Sequence, residues 1–464
     1  MNRYLFATLG IAVLMLLTSP CAAQQNEPLS NKRTSKTAAL LPGQEITLAG
    51  ALAKAEAENL TLSAAKQEIE KSESLFSKSL ALILPSARVS LGYTHLDHGS
   101  EVDLSGLIGG VAQQAVQIDP LVIQRQDALS GAISIRQSIV DAGAWLSVKA
   151  ARRGVELAAL SVEEMRRELS LSVARAYFLS LSAYHLTTLQ QALQASAKEH
   201  LRIAENRYAA GSGVRLDVLR ARADLEDATQ DLANANLAFD TARDALGVLI
   251  GMDGLPTPKE AVLPNAPTLD DAALIESALE DRADIAAQGK RIDLAVLREK
   301  IAWTALLPKL DAVWQGTALF TDPPDMGDPD QERWSLMLSL TVPLFDGAIY
   351  ADIRHTRAEH RLALINKANT EQAARKEVRQ AEREYLTALN NVETATRHVE
   401  VMREALLLTE KAFRAGSGSS LEVTDARKST AAAEINLITS GLRVQSALLS
   451  LLHASGKDIA TVVR

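Results

Sequence analysis

The spacing of apolar and polar positions changes period along this chain, and it does so twice in the same order. Residues 46–82 and 269–305 carry helical spacing and good helix formers. A two-residue alternation follows each. Ala87, Val89, Leu91 and Tyr93 interleave with Arg88, Ser90, Gly92 and Thr94, and Ile133 and Ile135 interleave with Ser134, Arg136 and Ser138. Later, Leu310, Ala312 and Trp314 alternate with Asp311, Val313 and Gln315, and Trp334, Leu336, Leu338, Leu340 and Val342 with Ser335, Met337, Ser339 and Thr341. One apolar and one polar face predict strands at about 85–96, 128–140, 308–320 and 333–344. Helical spacing then resumes and predicts long helices over 144–210 and 349–415.

Proline supports those lengths. None occurs between Pro120 and Pro256 or after Pro343, and one proline costs about 3 kcal/mol inside a helix. Residues 144–210 span 67 positions, about 100 Å of helix. Val148, Val155, Val162, Leu169, Ala176 and Ala183 stand seven apart, with Ala151, Ala158, Met165, Ser172, Leu179, Leu186 and Leu193 as the companion series. That is a coiled-coil seam with many small residues. Gly211-Ser212-Gly213 and Gly416-Ser417-Gly418 then reverse the chain into return helices over 214–250 and 419–455.

The two halves also match in text. At an offset of 205, ENRYAAGSGVRLDVLRAR (205–222) meets EKAFRAGSGSSLEVTDAR (410–427), and SIVDAGA (138–144) meets PLFDGAI (343–349). At an offset of 223, ILPSARVS (83–90) meets LLPKLDAV (306–313), the first copy having the longer insert within 97–127. Four segments in one order point to an internal duplication. The layout is therefore a signal peptide (1–23), an extension (24–45), repeat 1 (46–250), a linker (251–268), repeat 2 (269–455) and a tail (456–464).

Arg3, the apolar run Leu5–Leu17 and the small residues up to Ala23 form an export signal, with an uncleaved anchor as the alternative. Cys21, the only cysteine, falls inside it, so no disulfide framework follows; Pro20 argues against acylation there. No later segment is a run of some 20 apolar residues. The net charge of −8 gives no reason to expect nucleic acid as partner. Four strands of about ten residues are of bilayer-spanning length, but four cannot close and open edges cannot sit in lipid. Three chains supply twelve, with the apolar series toward lipid and the polar series toward a lumen. Trp145, Trp303, Trp314 and Trp334, with Tyr93, lie in or beside the strand regions, as membrane-belt aromatics do. A small soluble sheet capping a coiled coil is the alternative.

With the helix–strand–strand–helix–helix repeat, VPLFDGAI (342–349) and the turn motifs RYAAGSGVRLDVLRA (207–221) and FRAGSGSSLEVTDA (413–426) in view, the chain resembles the TolC-like outer-membrane efflux proteins over nearly its whole length. The resemblance implies a mainly α fold with a membrane β-barrel portion. It implies a homotrimer forming a 12-stranded β-barrel in the outer membrane and a long α-helical barrel through the periplasm. It also implies a periplasmic adaptor and an inner-membrane transporter as partners, docking at the glycine tips. The channel constriction falls by motif position on Glu422 and Asp425, with Asp217 in the first repeat. Relatives with a latched closed state resemble one another in a tyrosine and an arginine that hold this aspartate. Here Phe413 and Gly418 stand in those places, leaving packing, Arg215 or Arg220 to hold the closed state.

No catalytic constellation, Walker loop or cofactor motif appears, so enzyme chemistry is not expected. His95-x-x-His98 could touch a metal, although a solvated loop is the simpler reading, and His355 and His360 read as exposed. Three functions compete: a small-molecule efflux duct, a type I protein-secretion duct and a structural periplasmic coiled coil.

Overall fold

A computed structural model describes residues 45–102, 121–261, 270–321 and 332–462. The export signal, Cys21 and nearly all of the 24–45 extension lie outside the described residues. In chain order the elements are β1 (Glu45–Ile46), α1 (Leu48–Glu58), α2 (Leu60–Leu80), β2 (Ser86–His95), β3 (Ser100–Val102), β4 (Leu121–Gln124), β5 (Asp127–Val140), α3 (Ala142–Ala209) and α4 (Arg215–Leu249). There follow β6 (Thr257–Pro258), α5 (Asp271–Asp281), α6 (Ala283–Thr304), β7 (Lys309–Leu319), β8 (Glu332–Thr341), α7 (Gly347–Arg414), α8 (Ser420–Ala454) and α9 (Ile459–Val462).

The two longest helices, α3 and α7, have 68 residues each. The shared aspartate of the DAGA and DGAI motifs starts both. Asp141 Oδ1 accepts from the Ala144 amide at 3.0 Å, and Asp346 Oδ1 accepts from the Ala348 amide at 2.8 Å. Each satisfies an amide that the first helical turn leaves without a carbonyl. Toward the strands α3 packs on α2 and α6; toward its other end it packs on α4, where Thr187 Oγ1 donates to Ala235 O at 3.2 Å.

The expected helices 46–82 and 269–305 are each two helices. Asn59 is extended (φ −67°, ψ 123°) and caps α2 by accepting from the Leu62 amide at 3.1 Å, while its Nδ2 donates to Leu249 O at 2.9 Å. Arg282 breaks the second (φ −72°, ψ 125°), with its guanidinium on Asp284 and Glu377 at 2.8 and 2.7 Å. Polar partners outside the helix outweigh local propensity at both breaks. The linker and tail hold more structure than their composition indicated. β6 pairs in parallel with β1, and α9 buries Ile459. Among the described residues α8 alone is long and apolar enough by length and composition to cross a membrane, although it holds no run of 20 apolar residues. It lies along α7 and α3 as a wall of the bundle.

The core sits midway along the helices, around Tyr177, Phe178, Leu246, Ile250, Leu449 and Leu451. Tyr177 is fully buried; its hydroxyl donates to the Lys259 carbonyl at 2.6 Å and lies 3.1 Å from that of Ile46, tying the β1–β6 pair to α3. Burial pushes its hydroxyl up to about 12. Both return helices end beside this core in a glycine at positive φ. Gly251 (66°) faces Glu58 at the end of α1, and Gly456 (80°) faces Asp281 at the end of α5.

The main sheet has the order β2-β5-β7-β8, antiparallel throughout. Its register sets one side chain of each strand in rows. Ala87, Ile135, Trp314 and Leu336 share a row, as do Val89, Ile133, Gly316 and Trp334. On the opposite face Arg88, Ser134, Gln315 and Ser335 align. Among the described residues β2 and β8 are the unpaired edges, and the sheet is not closed in one chain. β8 stops at Thr341, short of the expected 344, because Pro343 lacks the ladder amide. A short antiparallel pair, β3 with β4, lies within the insert and was not expected from the sequence.

Candidate functional site

The ends of the helical hairpins are the most elaborated surface. At the first turn Gly211 takes φ +73°, and the Ser212 amide and hydroxyl both donate to Arg207 O, at 2.9 and 3.2 Å. At the second, Gly416 takes φ +82°, and Ser417 bonds Ala412 O in the same way at 3.0 and 3.1 Å. A left-handed residue lets the chain cap the carbonyls of the outgoing helix and turn back at once. Gly213 and Gly418 serve differently, since a Cβ on Gly418 would stand 3.0 Å from the Phe413 amide nitrogen and one on Gly213 3.1 Å from Tyr208 N.

The three carboxylates of the expected constriction sit at the start of the return helices. Glu422 and Asp425 are exposed one turn apart on α8, and Asp217 is half-buried in the first turn of α4. Among the described residues no ion pair or hydrogen bond joins the three. Glu422 also caps its own helix. Its Oε2 accepts from the Ser419 amide at 3.1 Å while Ser419 Oγ accepts from the Glu422 amide at 3.2 Å, a reciprocal capping box.

Of the residues that join the two hairpins, only Phe413 was picked out from the sequence. Arg207 lies over the Phe413 ring, 4.4 Å from its centroid, and donates to Phe413 O at 3.0 Å. The ring is buried and its other neighbour is His200, with ring centroids 5.5 Å apart. His200 Nε2 is in turn 3.4 Å from Ser420 Oγ. Burial, with the Arg427 charge, pushes the His200 pKa down, so the ring is neutral near pH 7. Deeper, Arg427 is buried among Ser196 of α3, Asp224 of α4 and Glu410 of α7. Arg215 and Arg220 are both exposed in this chain. One signal was available. Ser420, Val423, Arg427, Thr430 and Ala433 are buried at three- and four-residue intervals along α8, so Arg427 is an arginine on an inward stripe.

At the sheet, Tyr93 and Trp334 are exposed near the end remote from the helices, with Phe320 beside them. Trp145 and Trp303 are exposed at the helix-side end, on α3 and α6 rather than on strands. Trp314 stands mid-strand, its ring folded over Gly316, where a Cβ would meet it at 2.9 Å. The polar face carries Arg88, Arg136 and Asp311, the last two 3.6 Å apart.

Several histidines outside the tips pair with carboxylates. His95 Nδ1 is 2.7 Å from Asp127, which also accepts from Tyr93 at 2.6 Å; His98 meets Asp97 at 2.9 Å. His355 meets Glu359 at 3.4 Å, and His360 meets Glu299 at 3.1 Å. Among the described residues no group of three or more histidine, cysteine or carboxylate side chains could hold a metal ion.

A family model described as "Outer membrane efflux protein" matches residues 51–252 and 274–457. The chain is 25% identical over 305 residues to outer membrane protein OprJ of Pseudomonas aeruginosa, a match covering 63% of this chain and 62% of OprJ. It is 24% identical over 452 residues to cobalt-zinc-cadmium resistance protein CzcC of Cupriavidus metallidurans, covering 94% and 95%. Its fold is that of the outer membrane protein VceC from Vibrio cholerae, at a TM-score of 0.71 and 18% identity, covering 89% of this chain and 96% of VceC.

Proposed function

The chain belongs to the outer membrane efflux protein family, and from that premise we propose that three copies form the exit duct of a tripartite pump for drugs, toxic compounds or ions. It is an outer-membrane channel protein with a large periplasmic helical portion, not an enzyme. The sheet carries the reading. It has one apolar and one polar face in register, and two unpaired edges, β2 and β8. In lipid each unpaired backbone group costs several kcal/mol, so the edges must find partners. Because β2 and β8 run antiparallel, β8 of one copy can continue the ladder onto β2 of the next. Three copies make twelve strands, with the arginines and serines lining water and the Leu, Val and Trp rows facing lipid. The half-burial of Val148, Val155, Val162, Leu169, Ala176 and Ala183 fits a seam that a second copy completes. The paired helix lengths and paired glycine ends support a twofold duplication.

Glu422 and Asp425 form the constriction in this reading, six carboxylates around a narrow mouth, with Asp217 nearby. The glycine turns, Gly211-Ser212-Gly213 and Gly416-Ser417-Gly418, face a periplasmic adaptor that couples the duct to an inner-membrane transporter. Small toxic ions belong among the cargo, since the relative aligned over 94% of this chain is named for cobalt, zinc and cadmium resistance. A protein-secretion duct would use the same walls. Assembly is the test. Detergent-extracted protein should have the mass of three chains by light scattering with its β-signal intact by circular dichroism. A monodisperse monomer of full β-content overturns the duct. Growth of a deletion strain on zinc, cobalt or cadmium against growth on drugs then separates the cargo classes.

A further inference from the structure

One buried cation near the tips has two carboxylates to choose from and is fully bonded to neither. The Arg427 side chain is 9% exposed, and it is approached by one residue from each of the other three helices of the two hairpins. Nη2 donates to Ser196 Oγ on α3. Nη1 has no hydrogen-bond partner; its nearest carboxylate oxygen, Asp224 Oδ2 on α4, is 3.6 Å away. Nε is 3.9 Å from Glu410 Oε1 on α7. Both separations exceed hydrogen-bonding distance. A buried guanidinium with an idle N–H is costly, and a move of less than 1 Å would close either gap, Nη1 onto Asp224 or Nε onto Glu410. There is room to move. A cavity of about 80 Å³ lies between Arg427 and Asp224, and one of about 280 Å³ lies between Arg427, Ser196 and Glu410.

The two destinations differ in consequence. Asp224 belongs to the α3–α4 hairpin, whereas Glu410 belongs to the same hairpin as Arg427. We infer that Arg427 is a two-way junction: bonded to Asp224 it clamps the two hairpins of a protomer together, and bonded to Glu410 it lets them part. Burial raises the Asp224 pKa despite the nearby arginine, in keeping with a pair that is close but not closed. In the duct reading, on which the gating consequence rests, the clamped form is the narrower one. A buried cation that trades one partner for another is a discrete two-state element, the kind that converts a small shift at a tip into a change of helix spacing.

Two charge removals of equal size should act in opposite directions. In Asp224→Asn the guanidinium goes to Glu410 and the hairpins separate; in Glu410→Gln it goes to Asp224 and they close. Spin labels on Q230C and S429C, both exposed, report the α4–α8 distance by pulsed dipolar spectroscopy. Labelled chains diluted into unlabelled trimers isolate the pair within one protomer. Asp224→Asn should lengthen that distance and Glu410→Gln should shorten or narrow it. In an Arg427→Met background, which keeps the volume and removes the charge, neither variant should move it. Shifts of the same sign, or shifts that persist without the arginine, overturn the junction. The distance needs no conducting pore, so it is independent of the duct. In planar bilayers the same variants should change the open fraction on the order of tenfold, in opposite senses. Wild-type trimers that never conduct would refute the duct while leaving the distance result to judge the junction.

Discussion

The guanidinium of Arg207, at the end of the first long helix, stacks on the buried ring of Phe413 at the end of the second and donates to that residue's carbonyl oxygen at 3.0 Å. A cation–π contact and a charge-assisted hydrogen bond converge on one residue, worth together about 1–3 kcal/mol. Arg207→Ala should loosen the tips without dissociating the trimer, giving a higher open fraction in planar bilayers and greater sensitivity to large antibiotics. Arg207→Lys keeps charge but loses the planar fork, and should recover only part of the effect. Unchanged gating in both would reduce the contact to packing.

Phe413→Tyr with Gly418→Arg would supply the latch donors expected from the resemblance to relatives with a latched closed state. The tip geometry opposes the second substitution. A Cβ at 418 stands 3.0 Å from the Phe413 amide nitrogen, so the arginine must displace the turn before it can bond Asp217. Phe413→Tyr alone should be tolerated, while the pair should lower thermal stability of the trimer. A double variant as stable as wild type would show that the turn gives way easily.

Removing the charges of Glu422 and Asp425 together tests the constriction. Glutamine at 422 can still accept the Ser419 amide, so Glu422→Gln preserves the capping box, and Asp425→Asn preserves size. Cation selectivity and block by multivalent cations should both fall, because like charges in a narrow mouth favour cations there. Selectivity that survives the double change would leave the two carboxylates on an ordinary solvated helix face.

Valine at Gly211 and Gly416 places a β-branched residue at φ +73° and +82°. The cost is on the order of 1–2 kcal/mol at each turn. Trimers should still assemble, since both sites are remote from the core, but efflux should fall as the turns deform against the adaptor. Normal efflux from the double variant would make the turns mere connectors.

Acid should weaken the mid-helix core in a way one residue reports. The Arg166 guanidinium, bonded to Glu163 at 2.8 Å, holds that carboxyl at about 2 instead of 4.5, with Arg167 assisting. A carboxylate whose pKa falls on folding stabilises the folded state above its ordinary value and ceases to do so as pH drops through the folded one. Glu163→Gln should therefore lower Tm most at pH 7, with the difference shrinking between about pH 4.5 and 2. A difference that is constant with pH would assign the effect to packing.

Period and punctuation carried most of what the sequence revealed. Strand faces were legible because alternation such as Ala87-Arg88-Val89-Ser90 is local, and the long helices because proline is absent from them. The breaks at Asn59 and Arg282 were hidden, since each depends on partners far along the chain: Leu249 O for one and Glu377 for the other. The turn glycines were legible from their local pattern. Arg207 and Arg427 were not, because an arginine at helical spacing looks like surface until its neighbours, Phe413, Ser196 and Asp224, are brought beside it.

The two long helices count 68 residues each and their return partners 35 each. This equality makes length a paired inheritance. Loss of seven residues from α3 alone would draw its turn back by about 10 Å, lifting Arg207 off Phe413 and His200 away from Ser420. The same loss in α7, with α4 and α8 shortened to match, would shorten both walls and leave every contact at the tips in place. Descendants of this gene can thus change the reach of the protein across a wider or narrower periplasm only by editing both halves alike, and the lengths of the two walls should drift together wherever they drift at all.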